Sequence, residues 1–215
     1  MIAFFDTVHE DTDLYSVPQI FRKLIPIKPL KSGEEAPLFG VHHQRTIEQY
    51  VTWQAHYSQT VHLHDWLQTG SLVVAFYSAG WNGYGKDYLQ QLIALQATIQ
   101  DAGANLLVIS PDAPDSLQTL VNQHNLPFTI MQDVDNQIAA QFGVYSTDDP
   151  VWNWIAGITE DVPYPALFVV APNRQIQFSY VDKNFDGQFP TEAVLNQIAG
   201  QSTIKTLAFY DRTAA

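Results

Sequence analysis

The segment Gly80-Trp-Asn-Gly-Tyr-Gly85 lies where this sequence could most readily support chemistry. It follows the apolar run Ser71–Tyr77, which predicts a strand buried on both faces, and it precedes a stretch with helical periodicity. The first turn of a helix offers unpaired backbone N–H groups and a partial positive charge, which together lower the pKa of a thiol placed there. The position suits a thiolate nucleophile, yet neither this segment nor the rest of the chain contains a cysteine.

The absence of cysteine excludes disulfides, thiolate metal sites and cysteine nucleophiles in this chain. It does not indicate a redox compartment, because a chain without thiols tolerates either an oxidising or a reducing one.

The seven histidines raise the possibility of a metal site. His62 and His64 alternate on a predicted strand, while His42 and His43 are adjacent in a predicted loop. Zinc requires about four converging ligands, and no H-E-x-x-H or comparable spacing occurs, so we expect surface histidines and no metal. Two acidic stretches are typical of turns and caps rather than of a calcium loop: Asp133-Val-Asp135 and Thr147-Asp-Asp-Pro150. No P-loop, Rossmann fingerprint or G-x-S-x-G motif is present, so no cofactor is expected.

Charge narrows the classes of partner. The 215 residues include 10 Lys and Arg against 22 Asp and Glu, a formal net charge of −12, with an isoelectric point of about 4.7. This field repels nucleic acids and anionic membrane surfaces. No apolar stretch is long enough to span a bilayer, and the first residues lack the basic region of a secretory signal, so the expected location is the cytoplasm.

The elements that would position the 80–85 turn can be predicted from residue 70 onward. After the turn, apolar side chains at Tyr88, Leu92, Leu95 and Ile99 recur with a helical period, and Gly103 is expected to end the helix. A second buried strand is predicted at 105–110. Asp112 is then predicted to be the N-cap of a helix with an apolar inner face: Leu117, Leu120 and Val121.

The second half of the chain repeats this alternation less regularly. Strands are predicted at 128–131, 166–170 and 175–181, the last with alternating polar and apolar residues and therefore one exposed face. Short helices are predicted over residues 134–142, ending at Gly143, and over 191–199. This order predicts an α/β fold with a mixed sheet flanked by helices.

Seven segments occur in an order typical of one family: Leu30-Lys-Ser-Gly-Glu-Glu-Ala-Pro-Leu-Phe39, Val61-His-Leu-His-Asp-Trp-Leu67, the 72–92 segment, Val108-Ile-Ser-Pro-Asp112, His124-Asn-Leu-Pro-Phe128, Gln132-Asp-Val-Asp-Asn136 and Tyr164-Pro-Ala-Leu-Phe-Val-Val170. They resemble the motifs L-x-x-G-x-x-A-P-x-F, V-x-L-x-D-x-L, W-C-P-Y-C, V-I-S-P-D, H-x-L-P-F, D-x-D and P-A-x-F-V-I. These are motifs of thioredoxin-fold, peroxiredoxin-like proteins of the alkyl hydroperoxide reductase / thiol-specific antioxidant family. The resemblance implies a thioredoxin-like fold.

The departures from the family pattern fall where its chemistry takes place. The resemblance puts Asn82 in the position of the cysteine that attacks peroxide, and Gly85 in the position of the second cysteine. Ser78 stands where close relatives often have arginine, and Gly83 replaces the proline. An asparagine amide is not a nucleophile toward peroxide, so thiol peroxidase and disulfide reductase activities are excluded.

Structural roles are predicted for both replaced positions. Asn82 is expected to be a helix N-cap, which is worth about 1 kcal/mol over alanine. Gly85 in the first helical turn costs roughly 0.5–1 kcal/mol relative to alanine, so something is expected to pack closely there.

The resemblance further implies a groove beside the former active site, formed by a set of mostly aromatic residues: Ser78, Trp81, Tyr84, Tyr164 and Pro165. The Tyr164–Pro165 bond is expected to be cis and to face Asn82. Trp152 and Trp154 are expected to be core or rim packing residues.

The resemblance also suggests a domain organisation. Residues 1–29 would form an N-terminal extension, 30–200 a thioredoxin-like domain with an insertion at about 43–60, and 201–215 a C-terminal tail.

Three hypotheses about function remain at this stage. The first is a redox-inert protein with a binding or assembly role through the former active-site groove, its partner being an unknown protein, peptide or small ligand. The second is an oxidoreductase or antioxidant enzyme with a cysteine-independent chemistry. The third, a laboratory variant with its cysteines replaced, is disfavoured because Ser78 and Gly83 depart from the family as well. A homodimer is suggested only by analogy with the family.

Overall fold

The computed structural model describes residues 25–42, 45–47, 60–187 and 189–199. Eight strands lie within these ranges: β1 (Gly40–His42), β2 (Thr46–Ile47), β3 (Thr60–His62), β4 (Ser71–Phe76), β5 (Ala104–Ser110), β6 (Thr129–Gln132), β7 (Ala166–Val170) and β8 (Ile176–Val181). The α-helices of the same ranges are α1 (Leu63–Leu67), α2 (Gly83–Asp101), α3 (Pro114–His124), α4 (Gln137–Gln141) and α5 (191–199). Short 3₁₀ turns occur at Ala79–Trp81, Val134–Asn136 and Val151–Asn153.

The main sheet has six strands in the order β2-β6-β5-β4-β7-β8. The pairs β4–β5 and β5–β6 are parallel, and the other neighbours are antiparallel. The interior strands β4, β5 and β7 consist almost wholly of buried residues, as their apolar runs predict. Strands β1 and β3 form a separate two-stranded sheet.

Helices cover both faces of the main sheet, because successive strand residues point to opposite sides. Val73 and Ala75 of β4 face the layer formed by α2, α3 and α5. Leu72 and Val74 face the layer formed by α1 and α4. The result is the predicted α/β architecture, a mixed sheet flanked by helices.

The strongest local patterns predicted their elements correctly. Helix α2 ends at Asp101, and Gly103 follows with a φ of +75°, the left-handed conformation that glycine adopts without strain. The α4 region ends in the same way at Gly143, whose φ is +71°.

Other predictions were wrong in part. Thr46–Ile47, assigned to an insertion, pairs with β6 as an edge strand of the main sheet, whereas residues 43–44 and 48–59 lie outside the described ranges. His64 lies in α1 rather than on a strand, and His42 ends β1 rather than lying in a loop; His43 is not described. Strand β8 shows no clean alternation of burial, because it is the edge strand and its last five residues are all half-buried.

The end of the predicted N-terminal extension packs against the domain. Ile27 is buried, and its N–H donates to Asp149 Oδ2 at 2.9 Å. Leu30 N–H donates to Phe142 O at 3.0 Å. Residues 1–24 and 200–215 lie outside the described ranges.

None of the helices in the described ranges is both long and apolar enough to cross a membrane.

Candidate functional site

The 80–85 turn is fixed to the end of the neighbouring strand β5 by Asp112. Ser78, directly after β4, donates its hydroxyl to Asp112 Oδ1 at 3.0 Å, and Ala79 N–H donates to Asp112 Oδ2 at 2.9 Å. The prediction that Asp112 is the N-cap of α3 is therefore wrong. Ala113 holds that position, and Pro114 is the first helical residue, where the missing N–H of proline is harmless.

Asn82 lies at the N-cap position of α2 without capping the helix. Its φ of +56° and ψ of −133° differ from the extended conformation from which a capping side chain reaches the first helical N–H groups. The side-chain amide instead donates from Nδ2 to Gly157 O at 2.6 Å. The predicted side-chain cap is wrong, and Asn82 joins the turn to the loop that precedes β7.

Gly85 is buried where no side chain fits. A Cβ atom at this position would lie 2.7 Å from Ser78 O and 3.7 Å from Trp81 Cβ. Because the nearest atom belongs to the backbone, the turn would have to shift to accept even a methyl group. A cysteine at residue 85 is subject to the same limit.

Trp81 is the centre of an aromatic cluster at the start of α2. Its ring centroid lies 5.5–5.9 Å from those of four aromatic neighbours: Tyr77, Tyr84, Tyr88 and Phe185. Its indole N–H donates to Pro163 O at 2.9 Å, so this 2% exposed side chain has no unpaired polar atom.

The predicted groove is filled by protein at these residues. Ser78, Trp81, Tyr164 and Pro165 are buried, and Tyr84 is half-buried. Phe185, from the loop after β8, packs 4.8 Å from Tyr84 and 6.4 Å from Tyr164 between ring centroids. A ligand reaching this end of the sheet would meet the rim of the cluster rather than its interior.

Asp182 anchors the loop that carries Phe185. Its carboxylate is 4% exposed and accepts the Tyr84 hydroxyl at 2.8 Å. It also accepts the backbone N–H groups of the following loop: Asn184 at 3.1 Å, Asp186 at 3.3 Å and Gly187 at 3.0 Å. Sequence reasoning missed this residue, although an Asp followed by Asn, Asp and Gly within five positions is typical of a turn closed by its own side chain.

The Tyr164–Pro165 bond is trans, since the described residues contain no cis peptide bond. The expectation of a cis bond is therefore wrong. Both residues are tied by backbone hydrogen bonds: Tyr164 N–H donates to Val144 O and Asp182 N–H donates to Pro165 O, each at 2.8 Å.

The tyrosines around the cluster resist ionisation. Burial is the main cause that raises the pKa of Tyr77, Tyr164 and Tyr180 to about 12, with nearby aspartates adding to it. Burial also raises the pKa of Tyr84 and Tyr88, and the hydrogen bond to Asp182 adds to the effect at Tyr84.

From the raised pKa values of these tyrosines we expect the protein to unfold in alkali. The unfolded chain releases phenolic protons near pH 10, as free tyrosine does, while the native state retains them. The stability that they contribute is therefore complete below about pH 10 and is lost as the pH rises through about 12. Phenolate absorbance, followed with circular dichroism, should show part of the tyrosine signal appearing only as the fold is lost, and the urea-denatured protein should titrate near pH 10 throughout. Ionisation of all 10 tyrosines near pH 10 with the fold intact would contradict this expectation.

A shallow cleft of about 470 Å³ adjoins the turn. It lies between the start of α3 and the loop before β7, and Asn82, Gly157 and Ser116 are among the residues that line it. Three of its lining residues carry carboxylates: Asp112, Glu160 and Asp161. The charge of this cleft is therefore negative.

Trp152 and Trp154 are exposed, at 46% and 57%. They are therefore not core residues, and about half of each side chain is buried, as for residues at the rim of the core. Each indole N–H is nevertheless bound: Trp152 Nε1 donates to Asp161 Oδ1 at 3.0 Å, and Trp154 Nε1 donates to Asp149 Oδ1 at 2.6 Å.

The acidic stretch at 133–135 has the capping role that the sequence predicts. Asp133 is buried and accepts Ile138 N–H at 2.9 Å and Ala139 N–H at 2.8 Å. Burial is the main cause that raises the pKa of its carboxyl. Within the described ranges, no three His, Asp or Glu side chains converge as metal ligands would.

Comparison with known proteins identifies related sequences. Residues 33–179 match the AhpC/TSA family. The chain is 29% identical over 156 residues to Peroxiredoxin Bcp of Escherichia coli strain K12, covering 73% of this chain and 88% of that protein. It is also 29% identical over 119 residues to the putative peroxiredoxin bcp of Haemophilus influenzae, covering 55% of this chain and 68% of that protein.

Solved structures share the fold. The crystal structure of peroxidoxin BcpB from Mycobacterium tuberculosis aligns with a TM-score of 0.57 and 17% identity, over 80% of this chain and 96% of that one. The reduced 2-Cys peroxiredoxin of Plasmodium vivax aligns with a TM-score of 0.60 and 16% identity, over 85% and 86%. These neighbours confirm the predicted thioredoxin-like, peroxiredoxin-type fold.

Proposed function

This chain belongs to the AhpC/TSA family, and from that premise and its lack of cysteine we propose that it is a redox-inert member with a binding or assembly role. Family membership gives the scaffold, and the proposal takes Asn82 and Gly85 as the position of the former redox site because of the motifs around them. The residues at that position supply the reason for assigning no thiol chemistry to it.

Asn82 is the observation that carries the proposal. Reduction of a peroxide by a thiolate requires sulfur to attack one oxygen, so that the O–O bond breaks and a sulfenic acid forms. At Asn82 the side chain ends in an amide whose nitrogen lone pair is delocalised, and one of its two N–H groups donates to Gly157 O. No other residue of this chain provides a thiol.

The surroundings of Asn82 support the same proposal. Gly85 leaves no room for the side chain of a second cysteine, and the aromatic cluster fills the space beside it. The close packing at Gly85 and the aromatic cluster stabilise the turn, and the turn itself contains no thiol. The acidic cleft and the loop that carries Trp152 and Trp154 are among the accessible surfaces at this end of the sheet.

The test is a peroxide-consumption assay with hydrogen peroxide and an organic hydroperoxide, using dithiothreitol or thioredoxin as reductant. We expect no consumption above the buffer control, and a Bcp peroxiredoxin assayed in parallel serves as the positive control. Clear turnover by the purified chain would overturn the proposal. The matched variant Asn82→Ser would then show whether the turnover depends on this position.

A further inference from the structure

The two exposed tryptophans are held in place rather than left free to turn. Both lie at the 3₁₀ turn Val151–Asn153, and the hydrogen bonds from their indole N–H groups to Asp161 and Asp149 fix their orientation. About half of each side chain nevertheless faces solvent. Large apolar side chains fixed in an exposed position are typical of a binding surface, because little side-chain entropy is lost when a partner covers them.

The apolar residues 25–27 are hydrogen-bonded to the loop that carries the two tryptophans. Asp149 binds Trp154 through Oδ1 and the backbone N–H of Ile27 through Oδ2. Ile25, two residues earlier, is 51% exposed. We call the exposed parts of Trp152 and Trp154, with Glu160 and Asp161, the tryptophan surface.

The tryptophan loop, residues 146–165, carries four carboxylates and no lysine or arginine, while Lys28 is exposed next to Ile27, which binds Asp149. No lysine or arginine occurs between Lys86 and Arg174, a stretch that includes α3, α4 and the whole tryptophan loop. Asp161, which binds Trp152, and its neighbour Glu160 are both exposed, and they line the adjoining cleft together with Asp112. A second copy of this chain would bring the same negative charge to the contact, whereas a cationic partner would be attracted to it.

Indole rings and carboxylates side by side suit one kind of ligand. A lysine or arginine side chain can lay its aliphatic stem and its charge over an indole ring while its N–H groups bind a neighbouring carboxylate. Resting on the proposed binding function, we propose that the tryptophan surface binds a lysine- and arginine-rich segment of a partner protein.

The probe is a fluorescein-labelled oligolysine of about ten residues, titrated with the full chain and followed by fluorescence anisotropy at about 0.15 M salt, where the Debye length is roughly 8 Å. We expect wild type to bind and the Trp152→Ala/Trp154→Ala variant to bind at least about tenfold more weakly, as for central aromatic contacts in other interfaces. This variant leaves the net charge unchanged. Because about half of each ring is buried and Trp154 binds Asp149, the urea midpoint of the variant is measured as well, and binding is compared under conditions in which both proteins are folded.

A matched pair of charge variants separates the surface from the overall charge. Glu160→Gln/Asp161→Asn removes two charges at the surface and keeps an acceptor for Trp152, while Asp101→Asn/Glu192→Gln removes two from exposed positions elsewhere. We expect the first pair to weaken binding about fivefold and the second less than about twofold.

Three results would overturn the proposal. One is unchanged affinity in the tryptophan variant, and another is equal weakening by the two charge pairs, since both would show attraction by net charge alone. The third is a failure of the wild-type chain to bind oligolysine. A second copy of the chain covering the surface would give this result, and sedimentation would then show self-association that is lost in the tryptophan variant. Residues 1–24 covering the surface would give it as well. The redox-inert proposal fails separately, by peroxide turnover, which oligolysine binding does not affect.

Discussion

Replacing Asp182 with alanine is expected to lower the free energy of unfolding by about 3 kcal/mol, since several polar groups then lose a buried acceptor. The carboxylate accepts four hydrogen bonds, from the Tyr84 hydroxyl and from three N–H groups of the loop that follows β8. That loop carries Phe185, which has a φ of +54° and packs on Trp81. Loss of the anchor should therefore loosen the aromatic cluster as well as the loop.

Tyr84→Phe is the matched control for Asp182→Ala. It removes one of the four hydrogen bonds and leaves the loop bonds in place, so we expect a loss of about 1 kcal/mol. Urea unfolding followed by tryptophan fluorescence measures both values. If Asp182→Ala cost no more than Tyr84→Phe, the carboxylate would not be holding the loop.

Asp182→Asn tests the direction of these bonds. The amide keeps the size of the carboxylate, but its NH₂ group cannot accept the N–H groups that point at it. A loss between those of Tyr84→Phe and Asp182→Ala is expected.

The interior of the fold could be predicted from the sequence because its patterns are local. The apolar runs at 71–77, 105–110 and 166–170 predict buried strands, and the spacing of Tyr88, Leu92, Leu95 and Ile99 predicts α2. Each pattern needs only a few neighbouring residues to be visible. Edge strands give weaker patterns: β2 has two residues, and half-buried β8 does not alternate.

The details of the site depend on distant partners, and the sequence could not give them. Asp112 is a plausible N-cap by position, but its carboxylate binds Ser78 and Ala79, more than thirty residues earlier. Asn82 has the right side chain for a cap, but its backbone conformation directs the amide to Gly157, 75 residues later. Local preference was overridden in both cases by a tertiary hydrogen bond.

The exposure of Trp152 and Trp154 could not be predicted for a similar reason. Tryptophan is usually well buried, so a packing role was the natural expectation. The structure holds both rings at the surface through Asp161 and Asp149. The sequence does not show which carboxylate binds which indole, so it could not show that about half of each ring faces solvent.

The aromatic cluster packs beside the positions of the missing cysteines and stabilises the turn that contains them. Asn82, at the position of the missing sulfur, is exposed and lines the acidic cleft, whereas the neighbouring Trp81 is 2% exposed and Phe185 packs on Tyr84. Burial of these rings stabilises the start of α2. We therefore expect the turn to act as a rigid support for the cleft and the tryptophan loop beside it.

Gly143→Ala is expected to be the most destabilising small substitution, with a loss of about 4 kcal/mol in the free energy of unfolding. Gly143 has a φ of +71°, and a Cβ there would lie 2.0 Å from Lys28 O and 3.0 Å from Pro29 Cα. Both neighbours are backbone atoms of the segment that leads into the domain. They cannot move aside without breaking the hydrogen bonds that Ile27 and Leu30 make with Asp149 and Phe142.

Gly103→Ala separates backbone strain from the steric clash. Its φ of +75° nearly equals that of Gly143, but nothing lies within 4 Å of the added Cβ, so only the strain of about 1 kcal/mol applies. Urea unfolding of both variants should show the difference, and equal losses would mean that residues 28–29 do not cross Gly143 in solution.

The same crossing supports Asp149, which binds both Ile27 and Trp154. If Gly143→Ala displaces the segment rather than unfolding the domain, Trp154 should lose its fixed orientation, and oligolysine binding should weaken along with the stability.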